Sequence, residues 1–274
     1  MDTDQVRTPT FAAASAQHLL SAAGSLVVLV RSRGGVLVAS DSRVNDTFSR
    51  TTYDGVRKLD AEGPFAWFLT GKARFVAFDA DTRKVCAQLD LLHLLTSTGC
   101  SQDATSAIEM ATKMAIQAAD QLAQLCGDYR TPVGQPLADL ATIGVVHRAD
   151  ELALIRLRVA QDRWGVECVA IPVAQIPRVG VFGNDRVYNA IKRAESGFEL
   201  YREHPVFRKV WDSQKDPRQG EAEEFARWLI AVTSEMDCLL GPTEHPVGGA
   251  PAIVFMSAVG STWLANPGNP DTGF

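Results

Sequence analysis

With 274 residues, 46% of them apolar and 22% charged, the chain is long enough to bury a core of its own and has the composition of a soluble globular protein. Its net charge of −5 and its scattered basic residues exclude a nucleic-acid footprint and a polybasic membrane surface. No apolar run reaches transmembrane length, and the acidic start MDTDQVR lacks the basic opening of a secretory signal, so a cytoplasmic location is expected.

Residues 1–24 are polar and then rich in Ala and Ser, and they read as a removable leader or a loosely packed arm. Residues 25–31 and 35–40 read as two strands joined by the turn Arg33-Gly34-Gly35. Residues 44–57 read as a loop or short strands, and a further strand region starts at Lys58-Leu59-Asp60. The run Phe65-Ala66-Trp67-Phe68-Leu69-Thr70-Gly71 is a buried strand ending at a glycine. From Lys72 to about Leu95 the spacing of Phe75, Phe78, Val85, Leu89 and Leu92 predicts a helix, broken at Thr96 to Gly99. A second long helix follows from about Asp103 to Cys126, with Met110, Met114, Ala118 and Leu122 as its packing stripe.

A loop is expected from Gly127 to Pro136, then strands at 140–147, 152–159, about 164–171 and 178–182, the last ending in Gly183-Asn184-Asp185. A helix over 185–195 precedes a charged, proline-containing stretch at 201–220 that reads as an insertion. The helix 221–236, a loop with His245-Pro246-Val247-Gly248-Gly249, a last strand at 252–258 and a frayed tail over 266–274 complete the chain. Strands and helices fall in separate blocks, which predicts an α+β fold with two sheets stacked between two helical layers. The cysteines (Cys86, Cys100, Cys126, Cys168, Cys238) are dispersed and lack a CxxC, so neither zinc nor a disulfide framework is expected. The histidines (His18, His93, His147, His204, His245) show no metal spacing, and none sits beside a serine that would make a Ser-His-Asp triad.

The ends of the first hairpin carry more than a hairpin needs. Gly24-Ser25 stands before the apolar run LVVLV, and Asp41-Ser42-Arg43 follows the run VLVAS. Cleavage between Gly24 and Ser25 would give Ser25 a free α-amine with a pKa of roughly 8, able to take the proton of its own hydroxyl. That is nucleophilic catalysis without a histidine. A lysine ammonium nearby would assist proton transfer, and a carboxylate would hold the lysine. Asp41 ends the strand that pairs with the strand starting at Ser25, and Lys58 opens the next β region. Taken singly, Ser25 is a strand-edge serine, Asp41 a turn cap paired with Arg43, and Lys58 a surface lysine. The ordered set favours the catalytic reading, with Arg57 as the surface charge and Lys58 turned inward.

These residues resemble the mature start of a proteasome β-type subunit of the Ntn-hydrolase superfamily: Gly24-Ser25, Gly34-Gly35, Ala39-Ser40-Asp41-Ser42-Arg43 and Lys58-Leu59, in that order. The resemblance continues through Phe68-Leu69-Thr70-Gly71, Ala141-Thr142-Ile143-Gly144-Val145-Val146 and Val181-Phe182-Gly183-Asn184-Asp185-Arg186-Val187-Tyr188, and then Asp237 and Gly248-Gly249. It covers about residues 25 to 260. The chain departs from the family in having serine rather than threonine at 25, Asn184 where a serine usually contacts the amine, and Val247 in place of a second serine.

The resemblance implies a four-layer αββα sandwich of the Ntn-hydrolase type, with 1–24 as propeptide or arm, 25–265 as the domain and 266–274 as a flexible tail. It implies a self-processing N-terminal-serine peptidase, cytoplasmic, with Ser25, Asp41, Lys58, Asn184 and Asp237 as catalytic residues. A backbone N–H of Gly71 would serve the oxyanion hole, and Val44, Leu69 and Ala73 would line the pocket before the scissile bond. Asn184 and Asp185 read equally well as the cap of the following helix. A ring of identical chains, a peptide or unfolded-protein substrate and no cofactor or metal are implied; a regulatory ATPase is not named by the sequence. Two alternatives stand beside this: a non-catalytic scaffold subunit of the same fold, and an Ntn amidase or acyltransferase acting on a small molecule.

Overall fold

The computed structural model describes residues 20–23, 25–46, 51–78, 85–97, 103–126, 138–159, 164–212, 214–239 and 247–266. Gly24, the expected loop at 127–136, His245-Pro246 and the tail beyond Asn266 lie outside them, as do residues 1–19 of the expected leader.

The run LVVLV is apolar on both faces because both faces are covered. Strands β2 (Leu26–Ser32) and β3 (Gly35–Ser40) pair antiparallel, with every residue of β3 buried. Leu26, Val28, Val30, Leu37 and Ala39 enter one core, and Val27, Leu29, Val36 and Val38 enter another. Around the hairpin run β12 (Val179–Gly183), β13 (Ala252–Ser257) and β14 (Gly260–Ala265), in the order β12-β2-β3-β13-β14.

The second sheet has the order β11-β10-β9-β7-β1-β4-β5, with β6 and β8 also paired to β7. Its members are β1 (Leu20–Ala23), β4 (Val44–Asp46), β5 (Thr51–Tyr53), β6 (Leu59–Glu62), β7 (Phe65–Phe78), β8 (Val85–Asp90), β9 (Ala138–His147), β10 (Glu151–Val159) and β11 (Trp164–Pro172). Phe65, Trp67 and Leu69 of β7 face a core shared with α1 (Leu91–Ser97) and α2 (Ala107–Cys126), while Ala66 and Phe68 face the core shared with the first sheet. The first sheet's other face packs on α3 (Arg186–Arg193), α5 (Pro205–Trp211) and α6 (Gln219–Leu239). The α+β class holds: helices and antiparallel sheets are segregated along the chain. Among the described residues no helix is long and apolar enough to cross a membrane.

Three expectations are corrected. Among the described residues, the helix expected over residues 72–95 is replaced by strand up to Asp90: β7 continues past Gly71 to Phe78, β8 pairs back on it, and the helical part is Leu91–Ser97. The alternation Lys72-Ala73-Arg74-Phe75, with Ala73 and Phe75 buried, is the strand signal that competes with the helical spacing. The stretch 201–220 is helical in part: α4 (Glu199–Arg202) precedes α5, where Pro205 takes the first turn and His204 accepts from the Val206 N–H. And β14 extends the sheet beyond the last expected strand.

The start of α2 is closed from three sides. The Glu109 N–H donates to Ser106 Oγ (3.2 Å), Glu109 Oε2 accepts from the Thr105 N–H (2.9 Å), and Glu151 Oε2 accepts from the Ala107 N–H (2.9 Å). The Thr105 bond, with Lys113, holds the Glu109 carboxyl down at about 2. Ser106→Ala therefore lowers the unfolding free energy by about 1 kcal/mol, read by urea denaturation; an unchanged midpoint would show that Glu109 and Glu151 suffice.

Candidate active site

Asp41 closes the β2–β3 ladder with its side chain. Its N–H donates to the Leu26 carbonyl (3.1 Å), and its Oδ1 accepts from the Leu26 N–H (2.8 Å), which fixes the residue next to Ser25. Oδ2 accepts from the N–H groups of Arg43 and Gly248, each at 3.2 Å. Lys58 Nζ reaches Asp41 Oδ1 at 2.9 Å and also donates to the Arg43 carbonyl. Asp41 is fully buried and Lys58 is 2% exposed. Burial pushes the Asp41 carboxyl up, against the pull of Lys58 and the backbone donors; burial pushes the Lys58 ammonium down, against the pull of Asp41. Lys58 is thus a cation that gives up its proton more readily than a surface lysine.

The guanidinium of Arg43 goes to Asp54 (2.8 and 3.1 Å), not to Asp41. Arg57 pairs with Asp60 and lies over the Trp263 ring, 4.9 Å from its centroid. Lys58 is the inward member of the Arg57-Lys58 pair.

Ser25 precedes β2 and is 5% exposed. Its carbonyl accepts from the Asn184 N–H at 2.9 Å. This is possible because Gly183 has φ +86°, and a Cβ there would overlap the Ser25 carbonyl oxygen. Asn184 Nδ2 donates to Asp237 Oδ2 at 2.9 Å, and the Val247 N–H donates to the same oxygen at 3.2 Å. Val247 serves the network through its backbone, while its side chain lies in the core beneath α6. Successive N–H groups, Val247 and Gly248, thereby tie Asp237 to Asp41. Burial raises the Asp237 carboxyl, opposed by Asn184 and Val247. Asp185 stands before α3 and makes no side-chain cap hydrogen bond.

Thr70 and Gly71 border a cavity of about 390 Å³ with Ser25, Thr142, Arg156 and Asn184. Gly71 has φ +90°, and a Cβ there would lie 2.6 Å from the Leu140 carbonyl oxygen. Of the residues expected to line a pocket, Leu69 and Ala73 are buried in the core beneath α1 and α2, and Val44 is buried on β4. None of the three lines this cavity. Arg156 is the lining residue that sequence reasoning missed: in the run LIRLR it is one alternating position of a strand, and only register brings it here. His147 stacks on Phe65 and His204 on Trp228, at 4.7 and 5.1 Å between centroids.

The end of the expected leader is itself a strand. Ala22 stands opposite Asp46 of β4 and Arg74 of β7, and Ala23 stands opposite Asn45 and Lys72, with a register shift between them. β1 thus runs between β4 and β7 as far as Ala23, two residues before Ser25.

No family model and no curated protein matches the chain. Among solved structures it is similar to the Anbu (Gly-1) mutant from Hyphomicrobium sp. strain MC1, with 14% identity, 88% of this chain and 87% of that chain covered, and a TM-score of 0.48.

Proposed function

We propose that the chain is a self-processing N-terminal-serine peptidase of the proteasome-like Ntn class, with a four-layer αββα build and a ring assembly. The observation that supports it best is the buried Asp41–Lys58 pair, anchored by the Leu26 N–H beside Ser25. A buried ion pair contributes little stability that apolar side chains could not, so its place next to a serine favours a chemical role. The stacking of three cores, helices on one sheet, sheet on sheet and helices on the other, supports the layered reading.

In the uncut chain Ser25 Oγ attacks the Gly24 carbonyl carbon, and the hydroxyl proton is relayed by way of a water to the departing Ser25 nitrogen, with the Lys58 ammonium favouring the alkoxide that develops. The acyl group passes from the Ser25 nitrogen to its oxygen, and water hydrolyses the ester, freeing residues 1–24 and the α-amine. That amine is then the base for cleaving a peptide through an acyl-enzyme on Ser25. Asn184 and Asp237 would orient the ammonium form of the amine, and the Gly71 N–H would face the developing oxyanion. Val44, Leu69 and Ala73 would shape the pocket before the scissile bond.

The test is the intact mass of the purified chain beside Ser25→Ala. Wild type is expected to lose residues 1–24 and the variant to keep them. The pairing of β1 on both edges favours a second reading, a scaffold subunit that never matures; retention of the leader by both proteins would select it.

A further inference from the structure

We propose that Arg156 makes the cavity a carboxylate-selecting site, holding an acidic group on the leaving-group half of the peptide within about three residues of the scissile bond. This rests on Ser25 being the nucleophile. Sheet order assigns the side. The strand that leads up to Ser25 lies between β4 and β7, whereas the cavity lies on the other side of β7, over β9 and β10, and is bordered by Val181 to Asn184. The half of a substrate before the scissile bond takes the leader's place, so the half after it is left the cavity.

Charge assigns the ligand. Among the described residues lining the cavity Arg156 is the single charged one; the polar remainder is the hydroxyls of Ser25, Thr70 and Thr142 and the amide of Asn184. Thr70 stands opposite Thr142, and Thr142 opposite Arg156, so the three share one face across β7, β9 and β10. Arg156 is exposed and is paired with no residue whose side chain the structure describes. Two strand spacings, about 10 Å, separate β7 from β10, and an extended peptide advances about 3.3 Å per residue. That distance brings an acidic group two or three residues past the scissile bond to the guanidinium, which can grip it with two parallel N–H donors. The carboxylate is either an Asp or Glu side chain or the C-terminus of a short substrate.

The full-length Ser25→Ala chain is the right protein for the test, because it keeps the leader in place and leaves the cavity open. Labelled tripeptides ending in Glu or Gln, each as free acid and as amide, are titrated by fluorescence anisotropy. The peptides carrying a carboxylate are expected to bind at least fivefold tighter than the neutral Gln amide. The Glu amide and the Gln acid separate side chain from C-terminus. Adding Arg156→Gln erases the preference, Arg156→Lys keeps part of it, and 0.5 M salt weakens it. Glu167 stands opposite Arg156 on β11; a cross-strand pair there would leave all four peptides equal, and that result, absence of binding, or a preference that survives Arg156→Gln overturns the proposal. Binding needs no turnover, so these outcomes bear on Arg156 alone, whereas retention of the leader by wild type overturns the reading of Ser25.

Discussion

Replacing Lys58 by methionine is expected to lower the unfolding free energy by about 3–5 kcal/mol and to stop leader release. The side chain is of similar length, so the loss comes from charge. Asp41, fully buried, is left with backbone donors and no cation. The loss also depends on pH. Without Lys58 nothing but backbone hydrogen bonds opposes burial, so the folded-state pKa of Asp41 lies above its unfolded value of 3.8. The folded variant then holds a proton that the unfolded chain has released. Stability therefore falls as pH rises from about 4 through the folded pKa. Urea denaturation at pH 5 and pH 8 should show the larger loss at pH 8. The double variant Asp41→Asn with Lys58→Met should recover much of it, since no charge stays buried. A loss below 1 kcal/mol at both pH values would mean that the pair is not the anchor described here.

Gly183→Ala is expected to be nearly as severe, for a steric reason. Position 183 has a left-handed φ, which costs an L-residue about 1–2 kcal/mol, and the new methyl must displace the Ser25 carbonyl. A total of about 2–4 kcal/mol follows, together with a drop of about 100-fold in the rate of leader release, because the nucleophile moves. Gly34→Ala is the control: its φ is also positive, at +82°, but nothing lies within 4 Å of a Cβ there. It should cost only the conformational share and leave the rate unchanged. Equal rates for the two variants would show that Ser25 does not depend on Gly183 for its position.

The part of the site legible in the sequence is the part built from local order. The hairpin places Asp41 beside Leu26 by ladder pairing, and Leu59, buried opposite Phe68, carries the neighbouring Lys58 inward. What was not legible depends on register between distant strands. Arg156 reaches the cavity only because β10 pairs with β9 and β9 with β7. The stretch 72–78 fits a helical spacing and a two-residue alternation at once, and pairing with β1 and β8 decides for strand. Leu20–Ala23 carries too few residues to announce a strand without its partners. The proline-containing stretch 201–220 reads as an insertion, but Pro205 occupies a helix's first turn, where its missing N–H is not needed.

β1 is the sole strand joining β4 and β5 to the rest of their sheet, among the described residues. Cutting after Gly24 would therefore take a plank out of the middle of the sheet rather than trim its rim. Two parallel-running borders of unpaired N–H and C=O groups would face each other across a slot one strand wide, about 10 Å from β7 to β4. An extended peptide from another protein is the shape that refills such a slot, main chain to main chain, whatever its side chains. Under the proposed cleavage this segment would be a mould: its removal would leave behind the negative of a β-strand.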